Sequence, residues 1–125
     1  MVRLLKQSSK ILLYEKEKLL NSILQYQISN YNNYDVLVIE NHEELHEILS
    51  NKSFDVCILN LNDISNQINN FINILQTKNE HINIIAYHEP FLKKSIDNVD
   101  KLYLLEKPFK LITLINFLDN INNIE

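Results

Sequence analysis

The sequence predicts an α/β fold: one parallel five-stranded sheet with helices on both faces. Two observations predict it. Five short runs, at 11–14, 35–39, 56–59, 82–87 and 102–105, are almost wholly apolar. Strands covered on both faces read this way, whereas half-exposed strands alternate. Between the runs lie stretches with apolar residues at helical spacing, so strand and helix alternate five times. A parallel sheet needs such a crossover between successive strands. With 125 residues and no repeat, linker or composition break, residues 1–125 are expected to form a single domain.

Each helix has its own signal. From about 17 to 29, Leu20, Ile23 and Leu24 share one face. Asn41 is a candidate cap for a helix carrying Leu45, Ile48 and Leu49. Ile64, Ile68, Phe71, Ile72 and Leu75 mark a longer amphipathic helix. Pro90 can open a short helix reaching about 98. The last helix, about 110 to 122, has Leu111, Leu114, Ile115 and Leu118 as its core stripe. Strand order 2-1-3-4-5 is the common solution at this length, and ligand sites in such sheets lie at the carboxyl ends of the strands. That edge collects Glu15, Lys16, Glu17, Glu40, Asn60, Asn62, His88 and Lys107.

Composition narrows the function. The chain is 46% hydrophobic and 22% charged, enough to bury a core. A net charge of -4 with scattered basic residues argues against direct nucleic-acid contact. No run is long enough to cross a bilayer, and the first ten residues lack a secretory apolar stretch, so a cytoplasmic location is expected. Glycine is absent, which excludes glycine-dependent phosphate cradles for nucleotides. The abundance of Asn and Ile has its simplest source in AT-rich coding. Cys57, the lone cysteine, sits in an apolar run and reads as a buried structural residue.

Four segments carry a family resemblance. Residues 11–17, ILLYEKE, are similar to the first strand of a response-regulator receiver domain, which ends in two acidic residues. Residues 54–62, FDVCILNLN, resemble its third strand, which ends in the phosphoacceptor Asp. Residues 83–88, NIIAYH, resemble the fourth strand, normally ending in Thr or Ser, and residues 104–109, LLEKPF, the fifth strand with its Lys-Pro-Phe signature. The resemblance implies the flavodoxin-like (βα)5 receiver fold with sheet order 2-1-3-4-5. It also implies a degenerate phosphorylation pocket at Glu15, Lys16, Asn60, His88 and Lys107.

The departures from the family pattern suggest that the phosphoryl chemistry is lost. Asn60 stands where the nucleophilic carboxylate belongs, and an amide does not form an acyl phosphate. Lys16 reverses one charge of the acidic pair, His88 replaces the small hydroxyl, and Leu104 takes the place of the switch aromatic, with Tyr103 beside it. Glu15, Lys16 and Lys107 sum to about plus one, unfavourable for a hard cation such as Mg2+. The pocket is therefore expected to be metal-free, with Lys16 paired to Glu15 and no cofactor or catalytic residue. The bland readings are a loop-capping Asn60, an exposed loop residue at His88 and a turn-supporting Lys107.

His42-Glu43-Glu44-Leu45-His46 spells the zinc-protease pattern H-E-x-x-H. Its helix is short and flanked by strands, with no third ligand in view, so a zinc hydrolase is the least favoured function and adventitious surface metal binding ranks above catalytic zinc. Leu45, Ile48 and Leu49 should leave Glu43 and Glu44 in solvent.

The resulting expectation is a non-enzymatic interaction module in bacterial signalling or transcriptional regulation, independent of phosphorylation. Its partner would be protein, with a homodimer through the fourth helix, fifth strand and fifth helix as the default. Tyr103, Ile112 and Phe117 are candidate contacts, the last two on opposite flanks of the core stripe. The alternative is a conventional phospho-accepting receiver that uses another acid such as Asp63.

Overall fold

The computed structural model describes residues 10–31, 34–64, 67–89 and 101–123. The elements are β1 (Lys10–Tyr14), α1 (Lys18–Tyr31), β2 (Asp35–Ile39), α2 (His42–Asn51), β3 (Val56–Asn60), a 3-10 turn (Leu61–Ile64), α3 (Ile68–Lys78), β4 (Asn83–His88), β5 (Leu102–Glu106) and α4 (Leu111–Asn123). All five strands pair in parallel in the order β2-β1-β3-β4-β5, the expected topology. Four helices fall among the described residues. The one expected at 90–98 lies outside them, so α4 is the fifth helix of the sequence reading.

The sheet divides two apolar cores by side-chain parity, since successive strand residues face opposite sides. Leu12, Tyr14, Cys57, Leu59, Ile84 and Ala86 meet Leu45 and Leu49 of α2 and Phe71, Ile72 and Leu75 of α3. Ile11, Leu13, Val56, Ile58, Ile85 and Tyr87 meet Leu24 and Ile28 of α1 and Leu114, Ile115 and Leu118 of α4. β3 is buried along its whole length, which is why its run carries no polar residue before Asn60. Burying a Leu, Ile or Phe side chain contributes about 1.5–3 kcal/mol, so these cores are the main stabilising term. Phe71 anchors the α2–α3 side: Tyr14 and His42 each meet its ring edge-on, at centroid distances of 5.1 and 5.2 Å.

Polar caps set the boundaries. Asn41 accepts from the Glu44 N–H at 2.9 Å, and the Glu44 carboxylate accepts from the Glu40 N–H at 3.0 Å. Glu44 is therefore half-buried in a reciprocal cap at the start of α2, a correction to its expected place in solvent. Ile64 belongs to the tighter 3-10 turn after β3 instead of α3, although it is buried as its apolar character requires. With no glycine in the chain, Lys101 takes the left-handed conformation (φ 63°) before β5, at roughly 1–2 kcal/mol for a residue with a Cβ. Tyr31 and Tyr34 both donate to Asp119, at 2.9 and 3.0 Å, tying the end of α1 and the start of β2 to α4.

Candidate functional site

The site sits at the carboxyl edge of the sheet, where β1, β3 and β4 end side by side. Asn60 pairs in register with Tyr87. Parity carries Ile11, Leu13 and then Glu15 to the α1–α4 side, together with Ile58 and then Asn60, and Ile85 and then Tyr87. Glu15 is 1% exposed and Asn60 6%. Three donors converge on the Glu15 carboxyl group. Tyr87 OH and Asn60 Nδ2 donate to Oε1, the latter at 3.1 Å, and the Glu17 N–H donates to Oε2 at 2.9 Å. The Glu15 carbonyl in turn accepts from Asn21 Nδ2 of α1 at 3.0 Å. A buried carboxyl group needs this number of partners, because each unmet polar group costs heavily out of water.

A second layer stitches the loops together. Asn60 Oδ1 accepts from the Asn62 N–H at 3.0 Å, a local turn that holds the amide in place. Asn62 Oδ1 accepts from the Glu89 N–H at 2.9 Å, linking the ends of β3 and β4. Asp63 Oδ2 accepts from the Lys16 N–H at 2.9 Å, linking the β3 and β1 ends. Lys107 precedes a cis bond to Pro108 and donates its N–H to His88 O at 2.8 Å. Its ammonium lies 3.4 Å from Glu89 and 5.3 Å from the centre of the Tyr87 ring. Phe109 packs on the same ring, at 5.2 Å between centroids.

The expected pocket is thus partly assembled and partly rearranged. Glu15 and Asn60 meet, and Lys107 reaches the site through Tyr87. Lys16 corrects the sequence reading: its side chain is exposed, and its backbone N–H reaches Asp63 while hydroxyl and amide groups serve Glu15. One residue past Glu15, Lys16 follows the opposite parity. His88 does too. It is half-buried, pairs in register with Glu106 and sets Nδ1 2.9 Å from Glu89 O. The hydroxyl beside Asn60 comes from Tyr87, which sequence reasoning had counted only as strand core. The charge tally changes as well. Asp63 and Glu89 join Glu15, giving three carboxylates against the ammonium groups of Lys16 and Lys107, a net of minus one where the sequence reading had plus one. The case for a silent pocket rests on satisfied partners, not on net charge.

Two ionisable groups are displaced by this setting. Burial lifts the Tyr87 hydroxyl far above the ordinary phenol range, and its bond to Glu15 acts in the same direction. Burial also raises the Asp63 carboxyl, opposed first by its bond from the Lys16 N–H. A raised carboxyl favours the folded state most when protonated, so its contribution is present at low pH and lost as pH rises through the folded value. Asp63→Asn keeps an acceptor for Lys16 and removes the titration. In urea unfolding at a series of pH values, the variant should gain on the wild type as pH rises through the mildly acidic range. Parallel curves would show that Asp63 titrates as it does in the unfolded chain.

The other flagged residues fall elsewhere. Tyr103 and Phe117 are half-buried, pack on the α1–α4 core and meet one another at 5.8 Å, a correction to their reading as free contacts. Phe117 lies near enough to Leu114 around the helix for its large ring to reach back to β5. Ile112 is 53% exposed, as expected of a residue off the stripe, and Leu104 of β5 is 47% exposed. His42 packs on Phe71 and His46 is exposed. Among the described residues no group of three His, Cys, Asp or Glu side chains is arranged to hold a metal ion, and no helix is long and apolar enough to cross a membrane.

No family model matches the chain, and no curated protein matches it. Solved structures do. A response regulator receiver domain protein from Bacillus halodurans aligns with a TM-score of 0.75 at 20% identity, covering 92% of this chain and 97% of that one. A chemotaxis response regulator of Vibrio cholerae aligns at 0.72 and 16% identity, covering 92% and 99%. A structure described as an adenylate cyclase from Rhodopirellula baltica aligns at 0.78 and 14% identity, covering 91% and 87%. At these identities the likeness establishes the fold: the chain has the architecture of receiver domains over nearly its full length.

Proposed function

We propose that this chain is a receiver-type interaction module of bacterial signal transduction or transcriptional regulation that works without phosphorylation. The fold and its likeness to response regulators support the signalling role. One observation carries the rest. Asn60, where the resemblance places the phosphoacceptor, is buried with its carbonyl oxygen bonded to the Asn62 N–H and its amide bonded to Glu15. An amide offers no nucleophile, and this one has both polar atoms engaged. Without chemistry at the site, the module's remaining resource is its surface, and the module is not an enzyme in this reading. Leu104 and Ile112 leave large apolar groups exposed on β5 and α4, so a second copy docking on that edge is the proposed assembly.

Acetyl phosphate with Mg2+ should leave the intact mass of the wild-type chain unchanged. In sedimentation at micromolar concentration the wild type should form a dimer that Ile112→Glu weakens without loss of helical circular dichroism. A gain of one phosphoryl group would overturn the chemical half, and a monomer at every concentration the homodimer. The second reading, phosphorylation at Asp63, has support in that carboxyl group's position beside Lys16 at the mouth of the site. In that case the mass gain should appear and vanish in Asp63→Asn.

A further inference from the structure

The H-E-x-x-H segment takes part in neither protease chemistry nor the receiver site. His42 and His46 stand one turn apart on α2, so their side chains share a face. Their ring centroids are 5.9 Å apart and their planes differ by 35°. Imidazole nitrogens bind a divalent ion such as Zn2+ at about 2.0–2.1 Å, which places two ring centres bound side by side roughly 4.5–5 Å from each other. The pair stands about 1 Å wider than that, a gap that a small side-chain rotation closes. Three further features favour it. The Phe71 ring, meeting His42 edge-on at 5.2 Å and 88°, fixes the orientation of one ligand. The reciprocal cap between Asn41 and Glu44 holds the first turn of the helix. Glu43 and Glu47, each next to a histidine and exposed, add negative charge around an approaching cation.

We infer that His42 and His46 form a two-ligand surface site for a borderline divalent transition-metal ion such as Cu2+, Ni2+ or Zn2+. Imidazole suits these ions, whereas Mg2+ and Ca2+ prefer oxygen ligands. Two protein ligands fall short of the three that a catalytic zinc keeps, so water completes the coordination and the site binds without hydrolysing. Neither histidine takes part in the hydrogen bonds of the Glu15–Asn60 pocket, so the test does not rest on the receiver reading.

The test is calorimetric titration of the full chain with Ni2+ and with Zn2+, and with Cu2+ followed by electron paramagnetic resonance. Saturable binding of one ion per chain is expected, with nitrogen coupling in the Cu2+ spectrum and weaker affinity for Ni2+ and Zn2+ than for Cu2+. His46→Ala should weaken binding by about tenfold or more, since it leaves a single imidazole. His42→Ala should do the same, but it also removes the contact with Phe71, so the exposed His46 carries the decision. His81→Ala, which changes an exposed histidine elsewhere, should leave affinity unchanged. Equal affinity in wild type and His46→Ala, or loss on His81→Ala alone, would overturn the assignment.

Discussion

Replacing Glu15 by alanine should destabilise the fold by about 3 kcal/mol or more, because two buried donors lose their acceptor at roughly 1–3 kcal/mol each. Tyr87 OH and Asn60 Nδ2 both point at Glu15 Oε1 in a region closed to water. A loss of that size is a large share of the roughly 5–15 kcal/mol that holds a typical domain together. Tyr87→Phe, which removes one donor and leaves the carboxyl group two, should cost about 1–2 kcal/mol. Thermal and urea unfolding of both variants and of the double variant gives the coupling between the residues. A double-variant loss equal to the sum of the single losses would mean that the bond contributes nothing of its own. A Glu15→Ala loss below about 1 kcal/mol would mean that the pocket is not held by this network.

Asn60→Asp should also destabilise, by roughly 2 kcal/mol at neutral pH, although it places an Asp where the resemblance to receiver domains expects one. The change replaces the donor 3.1 Å from Glu15 Oε1 with a second acceptor, setting two carboxyl groups against each other in a buried site. Like charges so placed raise the pKa of the pair. By linkage the lost stability should return as pH falls through that raised value, opposite to the behaviour of a carboxylate held by a cation. Urea midpoints measured down the acidic range check the sign. A variant as stable as the wild type at neutral pH would show that Asn60 is no part of a lock.

The fold was largely legible in the residues because its signals are local. The runs at 11–14, 56–59 and 102–105 are apolar from end to end, 35–39 is apolar after Asp35, and each is a strand to within a residue. Asn41 marks the start of α2 by cap chemistry alone, whereas the part Glu44 plays in that cap is not in the sequence reading. Ile64 misled because a buried apolar residue just before an amphipathic helix shares its spacing, while the backbone there tightens into a 3-10 turn. The site was legible only in part. Glu15, Asn60 and Lys107 could be found from their places at strand ends. Tyr87 was missed although parity could have found it: Ile85 and Tyr87 share a face, and His88 continues the opposite face with Ile84 and Ala86. The links from Asn62 to Glu89 and from Asp63 to Lys16 join loops 27 and 47 positions apart, and no local pattern encodes such pairs.

The central claim is that the polar atoms of Glu15 and Asn60 are already engaged with one another and with Tyr87, Glu17 and Asn62, so that an ion must displace these bonds to bind. A Mg2+ titration followed by amide NMR tests it most directly, on the wild type, Asn60→Asp and the double variant Lys16→Asp with Asn60→Asp. The wild type should show no saturable shift at the amides of Glu15, Asn60, Asn62 and Lys107. The single variant should bind weakly, since it gains one carboxylate and frees Glu15 from the Asn60 amide while Tyr87 and the Glu17 N–H still hold Glu15. The double variant, richer by a second carboxylate, should bind most tightly. Saturable Mg2+ shifts at those amides in the wild type would contradict the account.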